Sequence, residues 1–245
     1  MITAIVQARM GSTRLPGKIL TEFSGDTLLG HIINRVSKAK LVSKVVVATS
    51  TNPSNDQLIT WLDRRGIQSF RGSENDVLNR YYGAAKASGA AHIARITADD
   101  PFKDPEIIDA VGEMYLNGKF DFAYNNKPPS FAEGLDTEIF SFAALEKANA
   151  NAVDPFEREH VTQHFYRNPR LFKQKNYSSP LDYSHLRWTI DTPEDLVMAK
   201  VVYENLYTRG KVFVAKDILE LIERKPEIPQ INQDVKRSDM YKKQK

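Results

Sequence analysis

Arg9, Arg14 and Lys18 lie in the segment Arg9-Met10-Gly11-Ser12-Thr13-Arg14-Leu15-Pro16-Gly17-Lys18, which contains no acidic residue. Gly11 and Gly17 let backbone amides approach a ligand, and amides beside fixed cations make a place for an anion such as phosphate. Two familiar phosphate loops do not fit. The P-loop puts four residues between its first glycine and its Gly-Lys pair and follows them with Ser or Thr. Here five residues separate Gly11 from Gly17, and Ile19 follows Lys18. The G-x-G-x-x-G dinucleotide fingerprint fails as well, because only two glycines are present and Pro16 breaks the middle. A solvated basic loop would carry the same charges, since such clusters are common on surfaces. Position favours the anion site: the loop follows the apolar run Ile2, Ala4, Ile5, Val6, and open α/β sheets bind ligands at the carboxyl ends of their strands.

Carboxylates are the second chemical resource. Asp99 and Asp100 follow the strand-like run His92 to Thr97 and precede Pro101. Adjacent carboxylates repel, a cation relieves them, and hard oxygen donors at a strand end suit Mg²⁺; a plain Asp-Pro turn is the competing reading. In Arg187-Trp188-Thr189-Ile190-Asp191-Thr192-Pro193-Glu194-Asp195, Thr192, Pro193 and Asp195 account for a helix start. Asp191 is surplus to that cap, at the end of an apolar stretch expected to be a strand. Glu157, Glu159, His160 and His164 suggest zinc, with the histidines spaced one helical turn apart, but the zinc-protease pattern needs Glu after the first His and Val161 stands there. A non-catalytic histidine face or a substrate contact is the better reading.

Alternating elements must position these groups. Leu28, Leu29, Ile32, Ile33 and Val36 give a helical stripe, and Val45 to Ala48 a buried-type strand. Ser54 with Gln57 predicts a capped helix closed by Gly66, and Ser73 with Asp76 caps another through Val77, Leu78, Tyr81 and Ala85. Asp104 and Pro105 start a further helix, a strand follows near Phe120 to Tyr124, and Asn125 to Ser130 forms a loop. The pattern is helices on a largely parallel sheet. Phe131 and Leu135, in a segment without core periodicity, are expected to bury against a second copy of the chain, so a homodimer is expected. Residues 226–245 read as a loosely ordered tail with basic residues Lys236, Arg237, Lys242, Lys243 and Lys245.

The chain has 245 residues, 41% of them hydrophobic, which suits one sizeable α/β domain. It has no cysteine, so disulfides, Cys-ligated zinc and a thiol nucleophile are excluded. No apolar run approaches the ~18 residues of a membrane span, and no signal-peptide pattern opens the sequence, so a cytoplasmic protein without membrane association is expected. A formal net charge of +3 does not point to nucleic acid.

The run Ala8-Arg9-Met10-Gly11-Ser12-Thr13-Arg14-Leu15-Pro16-Gly17-Lys18 resembles the nucleotide-binding signature of the sugar cytidylyltransferases, which include synthetases of CMP-activated sialic and ketodeoxyoctulosonic acids. The sequence is most similar to the spore-coat polysaccharide branch. The likeness implies a nucleotide-diphospho-sugar transferase fold of the GT-A, Rossmann-like type in a single domain. It also implies that Arg9 and Lys18 hold the triphosphate of CTP, beside nucleotide contacts from Ala8, Gly11, Ser12, Arg14 and Thr97. Ser73, Asn75, Asp76 and Arg80 match the segment beside the nucleoside. Asp99 and Asp191 match the family's two magnesium ligands, though Ala98 stands where glycine is usual. About 125–185 would receive the acceptor and contribute dimer contacts, with Glu159, His160 and Arg187 as acceptor candidates. The implied reaction joins CMP to an acidic sugar, a ulosonic acid, or to a phosphorylated acceptor, and releases pyrophosphate. A glycosyltransferase of the same fold and a non-catalytic nucleotide-binding regulator are the alternatives; the adjacent Asp99 and Asp100 do not spell the Asp-x-Asp motif typical of the former.

Overall fold

The apolar run after Met1 forms β1 (Ile2–Gln7) in the computed structural model, which describes residues 1–12 and 14–236. A small hairpin of β2 (Glu22–Phe23) and β3 (Asp26–Thr27) follows, then α1 (Leu28–Val36), β4 (Val42–Ser50), α2 (Asp56–Arg64), β5 (Ser69–Gly72), α3 (Val77–Ser88), β6 (His92–Thr97) and α4 (Pro105–Gly118). The second half comprises β7 (Phe122–Tyr124), β8 (Glu138–Ser141), α5 (Phe142–Asn151), α6 (Pro155–Glu159), α7 (Gln163–Arg167), β9 (Gln174–Asn176), α8 (Pro193–Leu206) and α9 (Ala215–Arg224). Seven strands make one sheet in the order β5-β4-β1-β6-β8-β7-β9. Neighbours pair in parallel except that β8 runs antiparallel to β6 and β7. This is the single mixed, mostly parallel α/β domain that the sequence predicts.

β1 is mostly apolar, with Thr3 and Gln7 as its polar members, because both of its faces are covered, as parallel strands require. Ile2, Ala4 and Val6 project into a cluster with α1, α4, α8 and α9, while Ile5 joins α3, α5 and α7 on the other face. The sheet therefore separates two cores, and the loops after β1 and β6 emerge side by side, since Gln7 pairs with Thr97. Antiparallel β8 enters from the opposite direction. Its first residue, Glu138, consequently sits at the same sheet edge, paired with Arg95 of β6.

Several local expectations change. Asn52 rather than Ser54 makes the cap near α2: it accepts from Ser54 N at 3.0 Å and opens a short 3-10 turn over Pro53–Asn55. Asp76, not Ser73, caps α3, accepting from Asn79 N at 2.9 Å, and Ser73 Oγ accepts from Asp76 N. His160 and His164 do not share a helix. Val161 adopts a positive φ of 45°, which breaks the chain between α6 and α7, and His164 Nδ1 pairs with Glu157 at 2.7 Å. The stretch before Asp191 is extended but is no sheet strand; it is tied by an isolated bridge between Glu133 and Arg187. Leu135 is 3% exposed inside the core, so it needs no second copy to bury it, while half-buried Phe131 stacks on Tyr177. The expected loose tail packs as far as described: Ile228 and Asn232 are buried around a 3-10 turn at Pro229–Asn232. The basic residues beyond Lys236 lie outside the described residues.

Gly134 fixes the turn that delivers β8. Its φ is +104°, and a Cβ there would meet the Trp188 carbonyl oxygen at 2.7 Å. Gly134→Ala should therefore cost about 1–3 kcal/mol from backbone strain alone, read as a lowered denaturation midpoint at unchanged slope.

Candidate active site

The loop after β1 is held by its own backbone and by one buried neighbour. Asn55, 1% exposed, accepts from Met10 N at 2.9 Å, and Gly17 N donates to the Met10 carbonyl at 3.1 Å. Gly17 takes a left-handed conformation, φ 71°, and so turns the chain into the 3-10 turn that begins with Lys18. The Lys18 side chain, 9% exposed, reaches inward. Its ammonium donates to the Ile190 carbonyl and to Asp191 Oδ1 at 3.1 Å, and lies 3.6 Å from Asp99 Oδ2. Ile190 N donates to the Asp99 carbonyl at 2.7 Å, which ties the loop after β6 to the strap before α8.

The adjacent carboxylates after β6 are relieved in different directions. Asp100, 5% exposed, accepts from Thr97 Oγ1 at 2.6 Å and pairs with Lys103 at 2.8 Å. Asp99 turns the other way, toward Lys18 and the open recess. Burial, with Asp100 adjacent, raises its pKa despite Lys18. Asp191 is the opposite case: burial works against its charge, but Lys18, Arg14 and Arg187 outweigh that and hold its pKa below the usual range. Arg14 Nη2 lies 3.0 Å and Arg187 Nη2 3.1 Å from Asp191 Oδ2.

These groups line a recess of about 230 Å³. Of the residues singled out from sequence, Ala8, Arg9, Gly11, Ser12, Arg14, Lys18, Thr97, Asp99 and Asp191 meet there. The recess opens into a wider cleft of about 350 Å³ that shares Arg9, Arg14, Thr97, Asp99 and Asp191 and continues past Arg95, Lys103, Asn126, Asp136, His160 and Tyr166. Other candidates lie elsewhere. Ser73, Asn75, Asp76 and Arg80 line neither space: Asp76 pairs with Arg158 Nε at 3.0 Å, buried Arg80 donates to the Ser73 carbonyl, and Asn75 is exposed. Their segment touches the site through Glu74, 3.4 Å from Arg9. Glu159 is exposed outside the cleft. Arg187 is buried behind Asp191, with Asp195 at 2.9 Å and Glu133 at 3.1 Å.

Sequence reasoning passed over Arg95, Lys103, Asp136, Glu138 and Tyr166. Glu138 accepts from Thr162 at 2.9 Å and Tyr166 at 2.8 Å and pairs with Arg95 at 2.5 Å. A period-two signal was present, since Arg95 with Thr97 and Asp136 with Glu138 place polar groups on one face at strand ends.

A cytidylyltransferase family model matches residues 3–224, a span that contains the loop, both aspartates and the cleft. The chain belongs to the cytidylyltransferase family. Membership places this cytidylyltransferase among nucleotidyltransferases. It is 32% identical over 233 residues to the spore coat polysaccharide biosynthesis protein SpsF of Bacillus subtilis, covering 92% of this chain and 95% of that protein. It is 36% identical over 108 residues to the 3-deoxy-manno-octulosonate cytidylyltransferase of Geobacter sulfurreducens, covering 44% of this chain and 42% of that one. A cytidylyltransferase structure from Leptospira borgpetersenii superposes with a TM-score of 0.89 at 36% identity, covering 97% of this chain and 98% of the other. Among the described residues no helix of this cytidylyltransferase is long and apolar enough to cross a membrane.

Asp136 gives the cleft a pH dependence. Burial pushes its pKa up to about 7 against the pull of Lys103, with Asp100, Glu138 and Glu133 adding to the push. The folded chain then keeps a proton that the unfolded chain has released, so this group's contribution to stability falls as pH rises from about 4 to about 7. Asp136→Asn should raise the melting temperature relative to the parent at pH 8 and leave it nearly unchanged at pH 4, followed by circular dichroism.

Proposed function

We propose that this cytidylyltransferase transfers CMP from CTP to an acidic sugar of the ulosonic acid type, or to a phosphorylated acceptor, and releases pyrophosphate. The product would be an activated sugar for surface polysaccharide or glycan synthesis. The observation that carries this reading is the recess itself, in which Arg9, Arg14 and Lys18 face Asp99 and Asp191 beside a larger polar cleft. The names of the relatives agree with it: one serves spore-coat polysaccharide and another activates 3-deoxy-manno-octulosonate.

Triphosphate belongs against the cationic loop, where charge-assisted contacts from Arg9, Arg14 and Lys18 favour the negative charge that gathers on departing pyrophosphate. The acceptor belongs in the wider cleft, where His160, Asn126 and Lys127 present polar groups. An acceptor oxygen bonds to the α-phosphorus as the bond from that phosphorus to the pyrophosphate oxygen breaks, and the acceptor proton passes to solvent. Positioning and charge stabilisation suffice, and no protein nucleophile is required.

The donor set fits magnesium. Asp99 is 33% exposed at the recess and disfavoured as an anion, so a dication there relieves it. Magnesium takes one or two protein carboxylates and completes its shell with phosphate and water. Asp99 and Asp191 would hold Mg²⁺, which neutralises phosphate charge when bound.

A pyrophosphate-release screen of four nucleoside triphosphates against ulosonic acids and sugar phosphates, with Mg²⁺, tests the reading. CTP should be the productive nucleotide; turnover with another nucleotide only, or with none, rejects it. The two loop cations should behave differently. Arg9 is 53% exposed, so Arg9→Ala should keep its melting temperature and weaken CTP binding, at about 1.5–3 kcal/mol for a lost charge-assisted contact. Lys18→Ala strips a buried cation from two carboxylates and should also lose about 3 kcal/mol of stability. Asp191→Asn should lose most turnover and shift the magnesium requirement; full activity at limiting Mg²⁺ would remove Asp191 from the site.

A further inference from the structure

Asp191 is held from behind by a buried network whose last member lies beyond the family match, which ends at Arg224. Asp195 is fully buried, and both of its oxygens are used. Oδ2 accepts from Asp191 N at 2.9 Å, Thr192 N at 3.0 Å and Arg187 Nη2 at 2.9 Å, while Oδ1 accepts from Arg187 Nε at 2.9 Å. Arg187 in turn holds the Asp191 carboxylate, 3.1 Å from Nη2. Asp195 thus fixes the backbone of Asp191 and orients the guanidinium that fixes its side chain. Asn232, 3% exposed, closes the arrangement: its Nδ2 donates to Asp195 Oδ1 at 2.9 Å and to the Arg187 carbonyl at 3.1 Å. Both acceptors belong to the network, so the amide clamps Arg187 to Asp195 at backbone and side chain together.

We propose that Asn232 is a positioning residue for Asp191, and that the 3-10 turn after α9 is therefore a working part of the active site. The proposal rests on the assignment of Asp191 to the nucleotide and metal. Ile228 already fills the apolar contact of the turn at 1% exposure, whereas Asn232 spends its amide on two polar acceptors. The amide supplies a donor to the buried Arg187 carbonyl and a second one to Asp195 Oδ1, which an apolar side chain could not do. Outer groups of this kind set the orientation of metal-binding carboxylates.

The test uses the full chain with Asn232→Ala, which removes the donor, Asn232→Asp, which keeps the shape but sets a carboxylate against Asp195, and the milder Asn232→Ser. Three quantities are measured: pyrophosphate release with CTP and the acceptor that the screen selects, the KM for CTP, and Mn²⁺ binding in the presence of CTP by electron paramagnetic resonance. Asn232→Ala and Asn232→Asp should lower kcat and weaken Mn²⁺ binding by about tenfold or more, with the KM for CTP within about twofold, and Asn232→Ser should fall between them and the parent. Unchanged kcat and Mn²⁺ affinity in all three overturns the proposal. So does a loss of kcat, CTP binding and melting temperature together in Asn232→Ser, which would mark a purely structural residue. If the parent binds CTP and Mn²⁺ but turns over no acceptor, the Mn²⁺ measurement still decides. If the parent binds neither, the transfer reading itself falls and the proposal with it.

Discussion

One ammonium group organises the site. Lys18 Nζ sits among the Ile190 carbonyl, Asp191 and Asp99, and so joins the loop after β1, the loop after β6 and the strap before α8. Burying a lysine is unfavourable unless the charge is met, and two carboxylates with a carbonyl meet it. The carboxylates need the lysine equally, because the recess would otherwise bring two negative charges together. Lys18 depends on both carboxylates, while Asp191 is also held by Arg14 and Arg187.

Around that centre the charges are graded. Asp191 is held ionised by Lys18, Arg14 and Arg187, whereas burial and Asp100 disfavour the charge on Asp99. Asp100 is satisfied by Lys103, and Glu138 by Arg95. Most charge in the wider cleft is therefore matched before any ligand enters. The more exposed cations lie on the β1 loop, where Arg9 and Arg14, though paired with Glu74 and Asp191, are 53% and 45% exposed.

Much of this was legible in the sequence because its cause is local. The run Ile2 to Val6, the Gly11 and Gly17 loop, the Asp104 cap and the capping box of Thr192 with Asp195 all declare themselves within a few residues, and Asp191 could be recognised as surplus to its cap. What was not legible depends on distant partners. Arg187 is enclosed by Glu133 and Asp195, and Arg80 is tied to the Ser73 and Glu74 carbonyls, which their own neighbours in sequence do not announce. Phe131 and Leu135 lack periodicity because they pack within irregular chain, Phe131 on Tyr177 and Leu135 in the core. The ordering of Asn232 could not be read either, since its acceptors lie 37 and 45 residues upstream.

The contact between Lys18 and Asp191 spans 173 positions of sequence. Closing so long a loop carries an entropic cost that must be met before the contact repays it. During synthesis the β1 loop emerges before residue 191, so its lysine has no complete set of partners until residue 191 has left the ribosome and docked. An unfinished chain thus carries the family's signature without the geometry that gives the signature its meaning. The β1 loop thereby gains its full set of partners only in the finished fold.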